Sequence, residues 1–412
     1  MTMSRSKAKN EIIYDDVANL YEHPSRDQKH PADPENQLTM GDLHGNALKL
    51  VYFLYRQNVI DFDHYEEIIN IYKKNIEELT KEDLDKFSRI LKNARINPSG
   101  AIRLLGDELC DRGHLDYFTL KILEKMVSEG ILVEIMISNH SVEFIEAYEK
   151  NKKFHPRFLV PQHAQSMIAM QRLIDKSLIS REEVLHLANH YYKPCIKALS
   201  YTTNADKTKM TIYSHAGIGL TTIKALATKL NVTYVEKTGK NPVEELSKTI
   251  DNINSAFEEH VKNNTVHTLY TKIGMIKGYS NYGIDENENP LEFLIWNRNY
   301  DDLNRPEKCG GCEIDFVHAH DLEEEQTQRN VYILENDFGR DDNQPVGRYH
   351  ILYSQEISSL KMRDQKKYGQ EKDNSSLLFF KPKTNKDLVS LKILPTLNAG
   401  DNVEVKIDFV FN

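Results

Sequence analysis

Apolar residues fall along the chain in two alternating rhythms. Short, mostly aliphatic runs occur at Ala101–Leu105, Ile131–Ile137, Met210–Ser214, Ile314–Val317 and Val331–Leu334. Runs of this length, bounded by polar and small residues, read as strands. Between them lie stretches whose apolar positions recur every three or four residues, the spacing of one helix face. Alternation of the two kinds predicts an α/β layered fold.

Two regions stand apart from that alternation. Residues 61–98 carry one apolar series at Tyr65, Ile68, Ile69, Tyr72, Ile76 and Leu79, and a second at Leu84, Phe87, Leu91 and Ala94. Thr80-Lys81-Glu82-Asp83 between them has the form of a capping signal that restarts a helix. The pattern predicts a helical hairpin whose two faces pack on each other, inserted into the surrounding fold. Beyond Ser354 the chain turns lysine-rich over 361–375, then shows β-type runs at Leu377–Phe380, Leu388–Ile393 and Val403–Phe411. Residues 355–412 therefore read as a linker and a β-rich extension. At the other end, residues 1–36 are polar and hold Pro24, Pro31 and Pro34, which predicts a flexible arm. That leaves 37–354 as the principal domain. No internal repeat is visible.

Chemistry concentrates where the β-type runs end. The chain carries Gly41-Asp42-Leu43-His44-Gly45, then Gly106-Asp107-Glu108-Leu109-Cys110-Asp111-Arg112-Gly113. Asn139-His140, His215-Ala216-Gly217 and His318-Ala319-His320 follow in order. In open α/β sheets the carboxyl ends of strands gather at one site, so five separate motifs can converge. Asp, His and Asn side chains suit borderline divalent metals and not a thiolate centre. The glycines beside them permit sharp turns and close backbone approach.

These motifs, GDLHG, GDELCDRG, SNHS, SHAG and HAHD, resemble GDxHG, GDxVDRG, GNHE, HGG and GH of the phosphoprotein phosphatase (PPP) family, in the same order. The similarity runs from about Leu38 to Leu352, and in outline the chain is also similar to Wip-type bacterial effector phosphatases. The resemblance implies a metallophosphoesterase β-sandwich flanked by helices. It implies two divalent metal ions, manganese foremost with iron or zinc as alternatives. Asp42 and His44 would bind one ion, Asp107 would bridge both, and Asn139, His215 and His320 would complete the second. Asp111 and His140 match the family's acid–base pair, and Arg112 its phosphate-binding arginine. Arg298, in Trp296-Asn297-Arg298, matches a second phosphate-holding arginine of bacterial members. The chain departs from the pattern at Ser138, Ser141, Ala216 and Ala319, none of which removes a proposed ligand or the acid.

General chemistry agrees with those roles. Phosphate monoesters hydrolyse extremely slowly in water. Two metals can activate a water and hold phosphoryl oxygens together, and arginines answer the remaining charge in planar fashion. A histidine near a carboxylate can protonate the leaving oxygen.

Each motif also has a plainer reading. A lone Asp-His pair is usually a turn or cap, and it is the ordered series that points to a metal site. Arg298 alone could be a surface ion pair. Of the two neighbouring histidines, His320 is read as the ligand and His318 as pointing the other way along its strand. Cys309-Gly310-Gly311-Cys312 lacks the second pair that a tetrahedral zinc site needs and reads as a turn with free thiols. His186 and His190 at i, i+4 have no obvious third ligand.

Composition narrows the setting. The 412 residues are 40% apolar and 28% charged, with a net charge of -9. An acidic balance weighs against nucleic acid as a partner. No apolar run approaches the roughly 18 residues that span a bilayer, and Met1–Asn10 holds no signal-peptide core. Four scattered cysteines fit a reducing, cytoplasmic-type compartment, and export without a signal peptide into a host cell stays open. The expected function is a metal-dependent protein phosphatase acting on phosphorylated Ser/Thr or Tyr side chains, with residues 61–98 as a possible surface for a protein partner. The alternatives are a dinucleoside polyphosphate or nucleotide hydrolase, and a weakly active adaptor that binds through the hairpin.

Overall fold

A computed structural model describes residues 10–30, 33–235, 241–270, 284–299, 303–320, 328–335, 338–340 and 344–358, all within one unit, Met1–Asp364. In chain order its strands are β1 (Asn10–Asn19), β2 (Gln37–Met40), β3 (Ile60–Asp61), β4 (Arg95–Ile96), β5 (Ile102–Leu104), β6 (Val133–Met136) and β7 (Ile196–Lys197). They continue with β8 (Ser200–Thr203), β9 (Lys209–Tyr213), β10 (Lys308–Cys309), β11 (Cys312–His318), β12 (Val331–Ile333), β13 (Val346–Ser354) and β14 (Ile357–Ser358).

One sheet has the order β1-β13-β2-β5-β6-β7; the other runs β10-β11-β9-β8-β14, with β12 also paired to β11. Strands β2, β5, β6 and β7 are mutually parallel, as are β9, β11 and β12. Parallel strands in each sheet therefore end on the same side, which is what brings the motif loops together.

The sheets face each other across a small apolar layer that includes Leu105, Met136, Tyr213, Val317, Leu334 and Leu352. One buried charge crosses that layer. The Arg103 guanidinium of β5 donates to Glu134 of β6 at 2.6 and 2.9 Å and stacks 3.8 Å over the Tyr213 ring of β9. Paired and stacked in this way, it avoids the large penalty of an unpartnered buried charge. Helices pack outside the sheets around a second, larger apolar core. The expected α/β sandwich flanked by helices is what the chain forms.

Three regions differ from the expectation or lie beyond it. Residues 10–19, expected within a flexible arm, form β1, antiparallel to β13 from Asn10↔Ser354 to Asn19↔Val346. Its composition is polar because the strand is an edge. The pairing rests on backbone groups of a strand more than three hundred residues away, together with buried Ile13, Ala18 and Leu20. The hairpin exists, with helices Tyr65–Tyr72 and Lys81–Asn93, and its capping box is made by Thr80 and Asp83. It does not pack only on itself. The Phe87 ring lies 4.2 Å from that of Phe118 of the helix Asp116–Ser128, tilted by 38°, and Tyr65 sits 5.2 Å from Tyr55 of the helix Ala47–Arg56. The expected extension and its β-type runs, from 359 onward, lie outside the described residues.

Candidate active site

The five motif loops do leave neighbouring strand ends. Asp42 and His44 follow β2, Asp107 to Arg112 follow β5, Asn139 and His140 follow β6, His215 follows β9, and His320 follows β11. The backbone there is unusual. His44, Asp107 and His320 take φ values of 57°, 50° and 75°, the left-handed region that costs a residue with a Cβ free energy and gathers at functional sites. Gly106 (φ +130°) lets β5 approach the site closely, since a Cβ there would lie 2.5 Å from His215 Nδ1. Ser138, a departure from the family pattern, braces two of these loops through its Oγ, which accepts from the N–H groups of Asp107 and Ser141, both at 3.0 Å.

Donor atoms of Asp42, Asp107, His215 and His320 all lie within 4.8 Å of one another, as do those of Asp42, His44 and Glu335. His215 donates through Nδ1 to the Leu105 carbonyl at 2.9 Å. Its Nε2 therefore carries a lone pair in the neutral ring, yet it faces Asn139 Oδ1 at 2.8 Å. Asp42 Oδ1, Asp107 Oδ1, His320 Nε2 and Glu335 Oε2 are buried without a hydrogen-bond partner. Buried polar atoms are normally satisfied, and these unpartnered atoms, three in the first of those groups and Glu335 in the second with Asp42 shared, fit a divalent cation centre.

The electrostatics agree. Burial, then the Asp107 and Glu335 carboxylates, push the Asp42 carboxyl well above its usual range. Burial lowers His215 and lowers His320 further, with His215, Arg298 and His140 adding repulsion to His320. His44 moves the other way, to about 10: burial opposes this, but Glu335 and the hydrogen bond to Asp111 outweigh it. His215 and His320, held neutral beside crowded carboxylates, are the ligand chemistry a divalent ion needs, whereas His44 would release a proton on binding one.

The proposed acid–base pair is close but not hydrogen-bonded. His140 Nδ1 donates to the Cys110 carbonyl at 2.6 Å and stands 3.6 Å from Asp111 Oδ1. Asp111 instead accepts from His44 Nδ1 at 3.2 Å and from Arg112 Nη1 at 2.9 Å. Burial would raise the Asp111 carboxyl, but the nearby His140, His44 and Arg112 hold it well below its usual range. His140 Nε2 is left pointing toward Asp107, whose Oδ2 is 3.9 Å away.

A cleft of about 60 Å³ opens over this cluster, lined by Asp42, His44, Asp107, Arg112, Asn139, His140, Arg298, His320, Glu335 and Arg340. Both arginines expected at the site line it, Arg298 through its place 5.7 Å from the Trp296 ring at the end of the helix Pro290–Trp296. His318, the last residue of β11, is buried with Nδ1 directed to the Ala319 carbonyl and is not among the cleft residues. Alternation would put i and i+2 on one face, and the two histidines part because the strand ends before His320, which turns at φ 75°. Arg340 and Glu335 were missed by sequence reasoning. Glu335 had a signal available, because it follows the β-type run Val331–Leu334 as the other site residues follow theirs. Arg340 had none, since it reaches the cleft from an irregular turn that Asn46 Nδ2 ties down at the Gly339 carbonyl (2.9 Å).

The other candidates stay outside this cluster. All four cysteines are free. Cys309 and Cys312 pair across a two-residue hairpin whose Gly310 and Gly311 take φ 57° and 86°, the turn geometry that favours glycine at both positions. The His186 and His190 rings lie 4.2 Å apart, and no third ligating residue joins them among the described residues. No helix among those residues is long and apolar enough to cross a membrane.

A family model described as the WipA-like phosphatase domain matches residues 101–340. Among solved structures, the phosphatase domain of the Legionella effector WipB is similar with a TM-score of 0.62 and 34% sequence identity, over 69% of this chain and 99% of that one. No curated relative matches. The family match spans more than half of the chain, across four of the five motif loops and both arginines expected at the site. With the WipB likeness, it establishes that the chain is a phosphatase and belongs to the WipA-like phosphatase family.

Proposed function

We propose that the chain is a metal-dependent protein phosphatase that hydrolyses phosphomonoesters on Ser/Thr or Tyr side chains. One observation carries the reading: buried, unpartnered oxygen and nitrogen donors from separate strand ends converge beneath a rim of arginines. Asp42, His44 and Asp107 would hold one divalent cation, and Asp107, Asn139, His215 and His320 the other. When bound, such ions act as Lewis acids and bring the pKa of a water toward neutrality. Mixed oxygen and imidazole donors without thiolate suit manganese, iron or zinc, with manganese preferred because carboxylate oxygens make up much of the set.

The chain's own groups do the rest. Arg112, Arg298 and Arg340 face the cleft and offer planar N–H donors to phosphoryl oxygens. Arg112 is held in place by Asp111. His140 supplies a proton from Nε2 to the leaving oxygen, because its Nδ1 proton is committed to the Cys110 carbonyl. Asp111 steadies the protonated imidazole through its charge and not through a hydrogen bond.

A polypeptide substrate is supported by a second cavity of about 520 Å³ that begins one residue beyond Arg112. Its walls include Gly113 and His114, the hairpin residues Tyr72, Lys73 and Lys74, and Arg172 from the helix Gln165–Asp175. It offers room for residues flanking a phosphorylated side chain, and gives the hairpin a part in recognition. The WipB likeness supports a bacterial effector delivered to a host cell.

The test is a panel of phosphoserine, phosphothreonine and phosphotyrosine peptides beside dinucleoside polyphosphates, with chelator-stripped and manganese-restored enzyme. Peptide dephosphorylation that requires manganese is the expected result. Preferential cleavage of the dinucleotides, or full activity in protein shown by elemental analysis to be metal-free, overturns the proposal.

A further inference from the structure

The roles above leave one charged group in the cleft unused. Glu335 is 6% exposed and stands at the end of β12. Its backbone position is fixed by register: β12 is parallel to β11 with Ile333 opposite His318, and Leu334 N–H donates to the His318 carbonyl at 2.8 Å. Two residues further on, Glu335 and His320 leave the two strands side by side. The end of β12 is also pressed against the Asp42 loop, since a Cβ on Gly41 would meet the Leu334 carbonyl oxygen at 2.0 Å.

Its two oxygens then face particular partners. Glu335 Oε1 lies 3.0 Å from His44 Nε2, and Oε2 is buried with no hydrogen-bond partner. The donor atoms of Asp42, His44 and Glu335 fall within 4.8 Å of one another. His44 directs Nδ1 to Asp111 at 3.2 Å, the arrangement that leaves Nε2 as a ligand atom. Neighbouring donors each about 2.1 Å from one octahedrally coordinated ion are about 3 Å apart. The separation of Glu335 Oε1 from His44 Nε2 is of that size.

We infer that Glu335 is a further protein ligand of the metal centre, joining Asp42, His44 and Asp107 around the first cation. The inference rests on the two-metal reading and adds to it a donor that the motif series does not contain. Three carboxylates and one imidazole make this position richer in oxygen than its neighbour, where Asn139, His215 and His320 contribute. Oxygen-rich sets suit hard ions, so the advantage of Zn²⁺ over Mn²⁺ should be smaller at this position than at the other.

The experiment is titration of the chelator-stripped full chain with Mn²⁺ by calorimetry, with elemental analysis after gel filtration. Wild type is compared with Glu335→Gln and Glu335→Asp. Two ions are expected in wild type. In Glu335→Gln one of the two sites should weaken by about tenfold or more, with a smaller loss in Glu335→Asp and a reduced Mn²⁺-induced rise in melting temperature for both. The paired-manganese signal in electron paramagnetic resonance should give way to that of an isolated ion. A wild type that takes up no Mn²⁺ overturns the two-metal reading itself. A wild type with two sites and a Glu335→Gln variant with two sites of equal affinity overturns only the role of Glu335, leaving it a counter-ion of His44. Melting of the metal-free proteins controls for folding. If Glu335→Gln does not fold, Glu335→Asp decides alone: weakened binding supports the assignment and unchanged binding overturns it.

Discussion

Replacing Phe87 with alanine tests whether the helical hairpin belongs to the catalytic scaffold or hangs on it. Phe87 is 2% exposed, and its ring centre lies 4.2 Å from that of Phe118, which is fully buried. The helix bearing Phe118 starts three residues after Gly113 and so anchors the loop that carries Asp107, Asp111 and Arg112. Removing a buried phenyl ring and leaving its cavity costs about 3–5 kcal/mol. At about 1.4 kcal/mol per factor of ten, even the lower figure shifts the folding equilibrium more than a hundredfold. Equilibrium urea unfolding of the metal-loaded enzyme, followed by circular dichroism, should show a lower midpoint with an unchanged slope. Well below that midpoint, p-nitrophenyl phosphate hydrolysis should stay near wild type, because Phe87 is not among the cleft residues. By the same reasoning, exchanging residues 62–97 for a short linker should abolish activity toward even this small substrate. It would uncover Phe118 and remove the Tyr72 hydroxyl that accepts from the His114 N–H at 3.2 Å. A Phe87→Ala loss below about 1 kcal/mol would refute the reasoning and return the hairpin to a self-contained insert.

Two further outcomes follow from the geometry. His140→Ala should lower kcat by roughly 10²–10⁴ for alkyl phosphates and by less for aryl phosphates, whose leaving groups need less proton help; an equal loss across a leaving-group series would remove its role as the acid. His114 gives a pH signature, because burial lowers its imidazole from 6.5 to about 4. Between those values the unfolded chain binds the proton and the folded one does not, so stability present above pH 6.5 is lost as pH falls toward 4. The loss is of order 3 kcal/mol, and a His114→Gln variant should show a flatter profile in urea unfolding over that window. Parallel profiles would count against burial as the cause.

Much of this molecule could be read from local pattern. Strand runs, the Thr80–Asp83 cap, the glycine turn between Cys309 and Cys312, and the strand-end positions of Asp42, Asp107, His140, His215 and His320 all follow from spacing within a few residues. Such signals are legible because backbone geometry and side-chain periodicity act over short stretches. The sequence by itself thus determined that Asp, His and Asn side chains would stand at successive strand ends. What it could not carry is who meets whom. β1 reads as a loose polar segment until β13 supplies its hydrogen bonds. Asp111 was expected to hold His140 but turns to His44. The hairpin's apolar stripes did not say whether they would face each other or the Phe118 helix. Glu335 reaches His44 across most of the chain's length. Each of these depends on parallel register and sheet-on-sheet packing, long-range quantities that no short window contains, and it was there that the tertiary structure decided which side chains meet.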